Sequence, residues 1–446
     1  MSLTSQKVHS ANTNGFIETV SFKVLHCGNV EGNNNKFYCL EKQKNPSTNE
    51  YRLFTHYGRL GKTNTYEIRG PASETEVEKE FNRILNQKLK SRKDSASGIE
   101  YNYEEVQTFS PTVGSDNIRS KSISIASKSF SPDFNSLNLD KYASRIVKQV
   151  YEENIHNITT MTNIRMTSSG LETPLGPVTK EHIQNARSVL NNVQNETSRT
   201  DEFKKLNSKY YSMIPHPFGH KIPDNAWLDN GNLADEFDLL DQLESAIKIN
   251  TAKTNDTKLD FEIKHVDSTP DFKSFYKLFE STRAHNHSNL SNWKVKNVYT
   301  LNLPKVSNRF NSIGSKLNPI KTLFHGSRNC NVLSILLNGL IIPPCNANHV
   351  TGRMFGNGIY AASASTKALN YSTGYWNNAK NKHPNAFLFL VNFGMGKVYE
   401  TSRQIQGPIK GYDSVWAKAG SSLHNDEFIV YNVGQVNITH LIELEK

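Results

Sequence analysis

Three short segments in the last 130 or so residues set reactive side chains among apolar neighbours. The first is Phe324-His325-Gly326-Ser327, in which an imidazole and a hydroxyl flank a glycine. It offers two hydrogen-bonding side chains and a backbone amide that a ligand can approach closely, and it also reads as a turn with a satisfied histidine. The second is GRMFGNGIYAASASTKALNY, from Gly352 to Tyr371. Gly356, Gly358 and Ala361 fit a relaxed dinucleotide fingerprint, but the nearest acid downstream is Glu400. The ribose-binding carboxylate expected about 20 residues on is missing, so a Rossmann site is excluded. Tyr360 and Tyr371 remain as two rings able to sandwich a flat heteroaromatic group, worth about 1 kcal/mol each beyond burial, or to serve as core tyrosines. The third segment, Asn425-Asp426-Glu427-Phe428-Ile429-Val430-Tyr431, puts acids at the head of an apolar strand. A buried carboxylate there is costly without a function; one facing water is not.

These residues need elements to hold them. The alternation of Phe387, Phe389, Val391 and Phe393 predicts a half-buried strand, and FIVYNVGQVNITHLIELE predicts a strand pair. Residues 256–446 therefore read as an α+β domain of antiparallel sheets. Residues 133–252 read as an all-α bundle. Ile183, Ala186, Leu190 and Val193 make one core stripe, and Leu233, Phe237, Leu240, Leu243 and Ile247 make another. Residues 16–106 read as a small antiparallel sheet plus one helix. Its strands are FIETVSFKVL, KFYCLEKQ and EYRLFTHYGRLG; its helix opens on the capping pair Ser73 and Glu76 and buries Val77, Phe81, Ile84 and Leu85. Residues 107–132 are a Ser-rich linker, and residues 1–15 a disordered polar tail.

Composition narrows the class. Hydrophobic residues make up 36% and charged residues 21%, a globular balance that excludes a collagen-like or wholly disordered chain. No run of 18 apolar residues and no apolar signal core occur, so neither a membrane span nor a secretory leader is expected. The four cysteines, Cys27, Cys39, Cys330 and Cys345, form no CxxC pair, which argues against a zinc finger or a disulfide framework; no metal is expected. The net charge of +10 suggests an anionic partner. It divides as +4 over residues 1–130, −3 over 131–255 and +9 over 256–446. The excess therefore sits with the three reactive segments.

In that order and spacing, the segments resemble the poly(ADP-ribose) polymerase catalytic domain. The family's His-Tyr-Glu triad falls on His325, Tyr360 and Glu427, with Lys367 and Asn370-Tyr371 also in step. Upstream, ETPLGPVTKEHIQNARSVLNNVQ and YYSMIPHPFGHKIP resemble the family's autoinhibitory helical domain. KFYCLEKQ and EYRLFTHYGRLGKTNTYEI resemble a WGR domain, which engages DNA ends.

The resemblance implies an NAD+-dependent ADP-ribosyltransferase, poly or mono, that is stimulated by DNA breaks, serves the DNA damage response and is located in the nucleus. NAD+ is then a consumed substrate, cleaved at the nicotinamide–ribose bond through an oxocarbenium-like transition state. His325 would bind ribose hydroxyls, Gly326 the carboxamide and Ser327 the adenosine side. Tyr360 and Tyr371 would bracket the nicotinamide. Glu427 would stabilise developing charge and polarise an acceptor hydroxyl, with Lys367 on the acceptor side. Tyr57, Gly58 and Arg59 would contact DNA ends or nicks. Protein acceptors, including the enzyme itself, and an accessory factor completing the acceptor site are the implied partners. A weakened DNA-end scaffold and a DNA-independent mono-transferase are the alternatives.

The chain departs from the family at four places. Ala368 replaces a carboxamide-binding serine, a loss of roughly 0.5–1.5 kcal/mol. Ile341 replaces an arginine, Tyr57 replaces the signature tryptophan, and the segment between Val415 and Glu427 is short.

Overall fold

The computed structural model describes residues 3–8, 14–60, 65–94, 98–106, 134, 139–167, 170–173, 176–196, 199–218, 221–229, 232–254, 259–342, 354–373 and 384–446. The Ser-rich stretch 107–132 lies outside them, as does Cys345. The chain packs as two compact units: Met1–Ser131 with Ile155–Leu243, and Pro132–Asn154 with Glu244–Lys446.

In the first unit, strands β1 (Ser5–Val8), β2 (Glu18–Cys27), β3 (Lys36–Asn45), β4 (Glu50–Arg59) and β5 (Thr65–Ala72) precede helix α1 (Glu74–Leu89). Short strands β6 (Arg92–Lys93), β7 (Glu100–Tyr101) and β8 (Glu104–Val106) follow. Six of these strands pair in the order β1-β5-β4-β3-β2-β8, every neighbour antiparallel. Alternation along the strands makes two faces. Leu25, Tyr38, Leu40 and Leu53 pack with Val77, Phe81 and Ile84 of α1, while Val24, Phe37 and Cys39 form a core on the other side. The Ser73–Glu76 capping box starts α1 as its sequence predicts.

The tail expectation needs correcting. Residues 5–8 form an edge strand on β5, with the Ser5 hydroxyl donating to Glu67. An edge strand is held by its backbone, so exposed polar side chains do not argue against it.

The region expected to be all-α contains α2 (Lys141–Met161), α3 (Lys180–Asn195), α4 (Asp201–Met213) and α5 (Asn232–Thr254). It also holds a three-stranded antiparallel sheet of β9 (Arg165–Thr167), β10 (Gly170–Thr173) and β11 (Gly176–Pro177). The α3 stripe is buried as expected. In α5 the inner positions are Leu233, Leu239, Leu240, Leu243, Ala246 and Ile249, whereas Phe237 and Ile247 are only half-buried. Residues up to 243 belong to one unit and those from 244 to the other. A helix that serves two packing units in succession keeps no single apolar stripe.

The second unit is built on two sheets. β12 (Glu262–His265) is followed by α6 (Thr269–Ser281), β13 (Lys294–Asn302), α7 (Pro304–Ser312), β14 (Ile320–Gly326) and α8 (Asn329–Asn338). Then come β15 (Ile359–Ala361), α9 (Ser365–Ser372), β16 (Asn385–Gly394), β17 (Val398–Thr401), β18 (Ser414–Ala417), β19 (Glu427–Val430) and β20 (Val436–Glu445). The larger sheet is antiparallel in the order β12-β13-β20-β16-β14. The smaller runs β15-β19-β18-β17, with β17 and β18 parallel. Reciprocal backbone hydrogen bonds between Phe324 and Ala362 (2.8 and 2.9 Å) join the sheets.

β16 lies between β20 and β14, and every residue from Ala386 to Val391 is buried. The half-buried reading came from the bulky alternate positions. Both faces are in fact covered, which suits a central strand.

Helix α2 is tied down within this unit. Arg145 donates to Glu443 on β20 (3.2 Å for one Nη–Oε contact), and Glu443 also accepts from Tyr299 (2.8 Å) and Asn297 (2.9 Å). Glu443 is fully buried; burial alone would raise its pKa, but these donors hold it below the usual carboxylate value.

Candidate active site

The two sheets meet where the three reactive segments lie. His325 is the penultimate residue of β14 and is half-buried. Its Nδ1 lies 2.8 Å from the carbonyl oxygen of Tyr360. A carbonyl can only accept, so Nδ1 carries the proton. Burial pushes the His325 pKa down, which favours the neutral ring and leaves Nε2 with a lone pair. Nε2 is therefore suited to accept from a hydroxyl.

Gly326 follows, at a very close approach to α9. A Cβ built there would stand 1.8 Å from the carbonyl oxygen of Ala368. Only glycine permits this contact. Ala368 itself is buried in the core beside Phe324, Leu369 and Leu388. Its methyl group thus supplies packing where the resemblance leads one to expect a hydroxyl.

Tyr360 sits on β15 opposite Ile429 of β19. Its hydroxyl donates to Gly356 O (2.6 Å) and accepts from Phe355 N (3.1 Å), and its side chain packs on the core cluster formed by Phe355, Val415, Ala417, Leu423 and Ile429. Two residues before Ile429, and so on the same face, stands Glu427. Its side chain is almost wholly buried, and its Oε1 receives Lys367 Nζ (3.1 Å) and the Tyr371 hydroxyl (3.0 Å). Burial, then the Glu427 charge, holds the Tyr371 phenol far above its ordinary value, so it stays a donor. Lys367 and Tyr371 are four apart on α9, which brings both side chains to one helix face.

Two sequence-assigned residues lie differently from the central group. The Ser327 hydroxyl accepts from Asn331 in the first turn of α8 (3.3 Å). Ile341 is 54% exposed and brings no donor.

Sequence reasoning passed over His287. Its Nδ1 is 3.0 Å from Thr366 Oγ1, and Asn425 Nδ2 lies 3.5 Å from its Nε2. Burial, then Lys367 and His424, lower its pKa. Its only sequence signal was a histidine 38 residues before His325, which carries no spacing information.

The three residues assigned to DNA lie at the C-terminal end of β4. Tyr57 stacks on Tyr38 (5.0 Å between centroids) and donates to Glu67 (2.8 Å). Burial, then Glu67, pushes its phenol up to about 12. Arg59 donates to the Asn33 carbonyl (2.8 Å) and to Asn33 Oδ1 (3.2 Å), and that same Oδ1 accepts from Ile222 N (2.8 Å). Gly58 pairs with Phe37 across the sheet.

Three known families match successive stretches of the chain. Residues 22–95 match the WGR domain, 138–268 the poly(ADP-ribose) polymerase regulatory domain, and 269–422 the poly(ADP-ribose) polymerase catalytic domain. Glu427 lies just beyond the last of these matches. The chain is 26% identical to poly [ADP-ribose] polymerase 2 of Arabidopsis thaliana over 95% of its own length and 72% of that protein. It is 24% identical to poly [ADP-ribose] polymerase 2-A of Oryza sativa over 93% and 68%. Against poly [ADP-ribose] polymerase 1 of Gallus gallus it is 29% identical, over 61% of this chain and 31% of the relative. By these successive matches the chain belongs to the poly(ADP-ribose) polymerase family and is an NAD+-consuming ADP-ribosyltransferase with WGR, regulatory and catalytic domains.

Proposed function

We propose that the chain builds poly(ADP-ribose) on protein acceptors, itself included, and that DNA ends or nicks stimulate it. The observation that carries the chemistry is the buried Glu427 carboxylate, held by Lys367 and Tyr371 at the head of β19. Loss of neutral nicotinamide leaves positive charge on the ribosyl C1′, and a preorganised carboxylate stabilises it without reorganisation. The C1′–N bond breaks with its electron pair going to nicotinamide, the acceptor oxygen forms the new bond to C1′, and its proton passes to the Glu427 carboxylate and from there to water. The lone pair on His325 Nε2 accepts from a ribose hydroxyl and fixes the sugar; the Gly326 backbone holds the carboxamide, Ser327 faces the adenosine side, and Tyr360 with Tyr371 brackets the ring.

The DNA-dependent part rests on the WGR-like sheet. Arg59 braces Asn33, which in turn caps the amide of Ile222, so a ligand that draws Arg59 away disturbs the regulatory residues directly. A nuclear location and an accessory factor at the acceptor side belong to the same reading. The competing reading, a DNA-end-binding scaffold with a weakened site, is favoured by the buried methyl group of Ala368.

Incubation with labelled NAD+, with and without 5′-phosphorylated nicked DNA, tests both parts. Label transfer that rises with DNA is expected. Absence of transfer in either case leaves the scaffold; transfer indifferent to DNA removes the gating.

A further inference from the structure

β18 and β19 are antiparallel neighbours joined by the short connection 418–426, with Ala417 opposite Glu427 and Trp416 opposite Phe428. Successive side chains along a strand point to opposite faces. Glu427 therefore lies on the face of Val415 and Ile429, while Asp426 and Phe428 belong to the face of Trp416.

The Trp416 face is tightly tied. Asp426 accepts from Trp416 Nε1 with one carboxylate oxygen (2.7 Å) and from Ala419 N with the other (2.8 Å). The indole stacks on Phe428, 5.6 Å between centroids. The ammonium groups of Lys321 and Lys418 stand 5.4 and 4.6 Å from the indole centroid, and Lys418 is paired with Glu400. The turn is closed by Gly420 N donating to Leu423 O (2.8 Å), and Leu423 is buried beside Val415 and Ile429.

We infer that Trp416 and Asp426 are positioning residues for the transfer reaction, a staple that aims Glu427. Rotation of the strand head about its own axis moves adjacent residues together. Pinning Asp426 on one face thus fixes the direction of Glu427 on the other. Lys367 and Tyr371 hold only the tip of that carboxylate; the staple holds its root. A displacement of about 1 Å at a reacting group is enough to cost up to 100-fold in rate. The connection 418–426 is short, so the root has no longer loop to lean on. The inference rests on Glu427 being the catalytic carboxylate.

Trp416→Phe keeps the stack and removes the N–H. Asp426→Asn is isosteric and keeps an acceptor for only one of the two bonds. Each is expected to lower kcat for nicotinamide release about 10-fold, with KM for NAD+ within about twofold of the native value. The Trp416–Asp426 bond is common to both side chains, so the loss in the double variant should be smaller than the product of the two single losses. A native kcat in both single variants overturns the proposal, as do losses that multiply in the double or that appear in KM alone. Glu427→Gln is measured alongside. If it is inactive while both staple variants run at the native rate, the staple is wrong and the catalytic reading stands. If Glu427→Gln is itself fully active, the catalytic reading falls and the staple with it.

Discussion

The close contact between β14 and α9 makes Gly326→Ala the most searching single test of how this site is held. The added Cβ would lie 1.8 Å from Ala368 O and 2.6 Å from Ala368 C, and real Cβ atoms do not come within 3.0 Å. At least ~1.2 Å of separation must be created. Both contacts are backbone, so no side-chain rotation relieves them. Either the end of β14, which carries His325, or helix α9, which carries Lys367 and Tyr371, has to move. Overpacking of this kind destabilises by roughly 1–3 kcal/mol. For a unit of this size that lowers a melting midpoint by about 2–4 °C per kcal/mol. Activity should suffer more, because a shift of about 1 Å at reacting groups removes up to 100-fold in rate. The assay is nicotinamide release from NAD+ measured beside a melting curve. A folded variant with its rate within a factor of two of native would refute the argument that this contact positions the site.

Tyr371→Phe removes one of the two donors given above to Glu427 Oε1. A hydrogen bond to a charged group is worth about 1.5–3 kcal/mol, so steady-state kinetics should show kcat reduced by roughly 10- to 150-fold; an unchanged kcat would remove Tyr371 from the site. His325, with its pKa pushed below 6.5 by burial, should keep its Nε2 lone pair at pH 6.5, so the acid limb of the rate profile should lie lower than that. The same shift makes stability fall as pH drops below 6.5, since the unfolded chain then binds the proton more readily, and a denaturant series from pH 7.5 to 5.5 measures it. Arg145→Met leaves buried Glu443 with only Tyr299 and Asn297 as donors among the contacts given above. The arginine side chain is 41% exposed, so the loss is set at about 1–3 kcal/mol rather than the value for a fully buried pair, and thermal melting should register it.

Much of the scaffold could be read from local chemistry. The Ser73–Glu76 box, the α3 stripe and the strands at 18–27, 36–45 and 50–59 follow from capping and periodicity, which act within a few residues. The errors fall where packing overrides the local pattern. The edge strand at 5–8 carries little apolar signal because backbone pairing with β5 and the Ser5–Glu67 hydrogen bond hold it, with no buried face required. The stripe of α5 is misplaced because its residues up to 243 pack within one unit and those from 244 within the other. β16 reads as half-buried until the packing on its second face, where Ala386, Leu388 and Leu390 join a core cluster, is known.

The types and order of His325, Tyr360, Lys367, Tyr371 and Glu427 were set by the sequence, and with them the chemistry available. Which atoms meet was decided only by the fold. The Tyr360 carbonyl fixes the His325 tautomer, although the tyrosine was singled out for its ring. Tyr371 serves Glu427 through its hydroxyl, and Asp426, one residue from Glu427, is committed to Trp416 on the opposite face. His287 joins the group from 140 residues before Glu427. Such contacts bridge long sequence separations and depend on strand register and on which face a side chain takes. Both are fixed when the sheets close on one another, and no spacing along the chain encodes them.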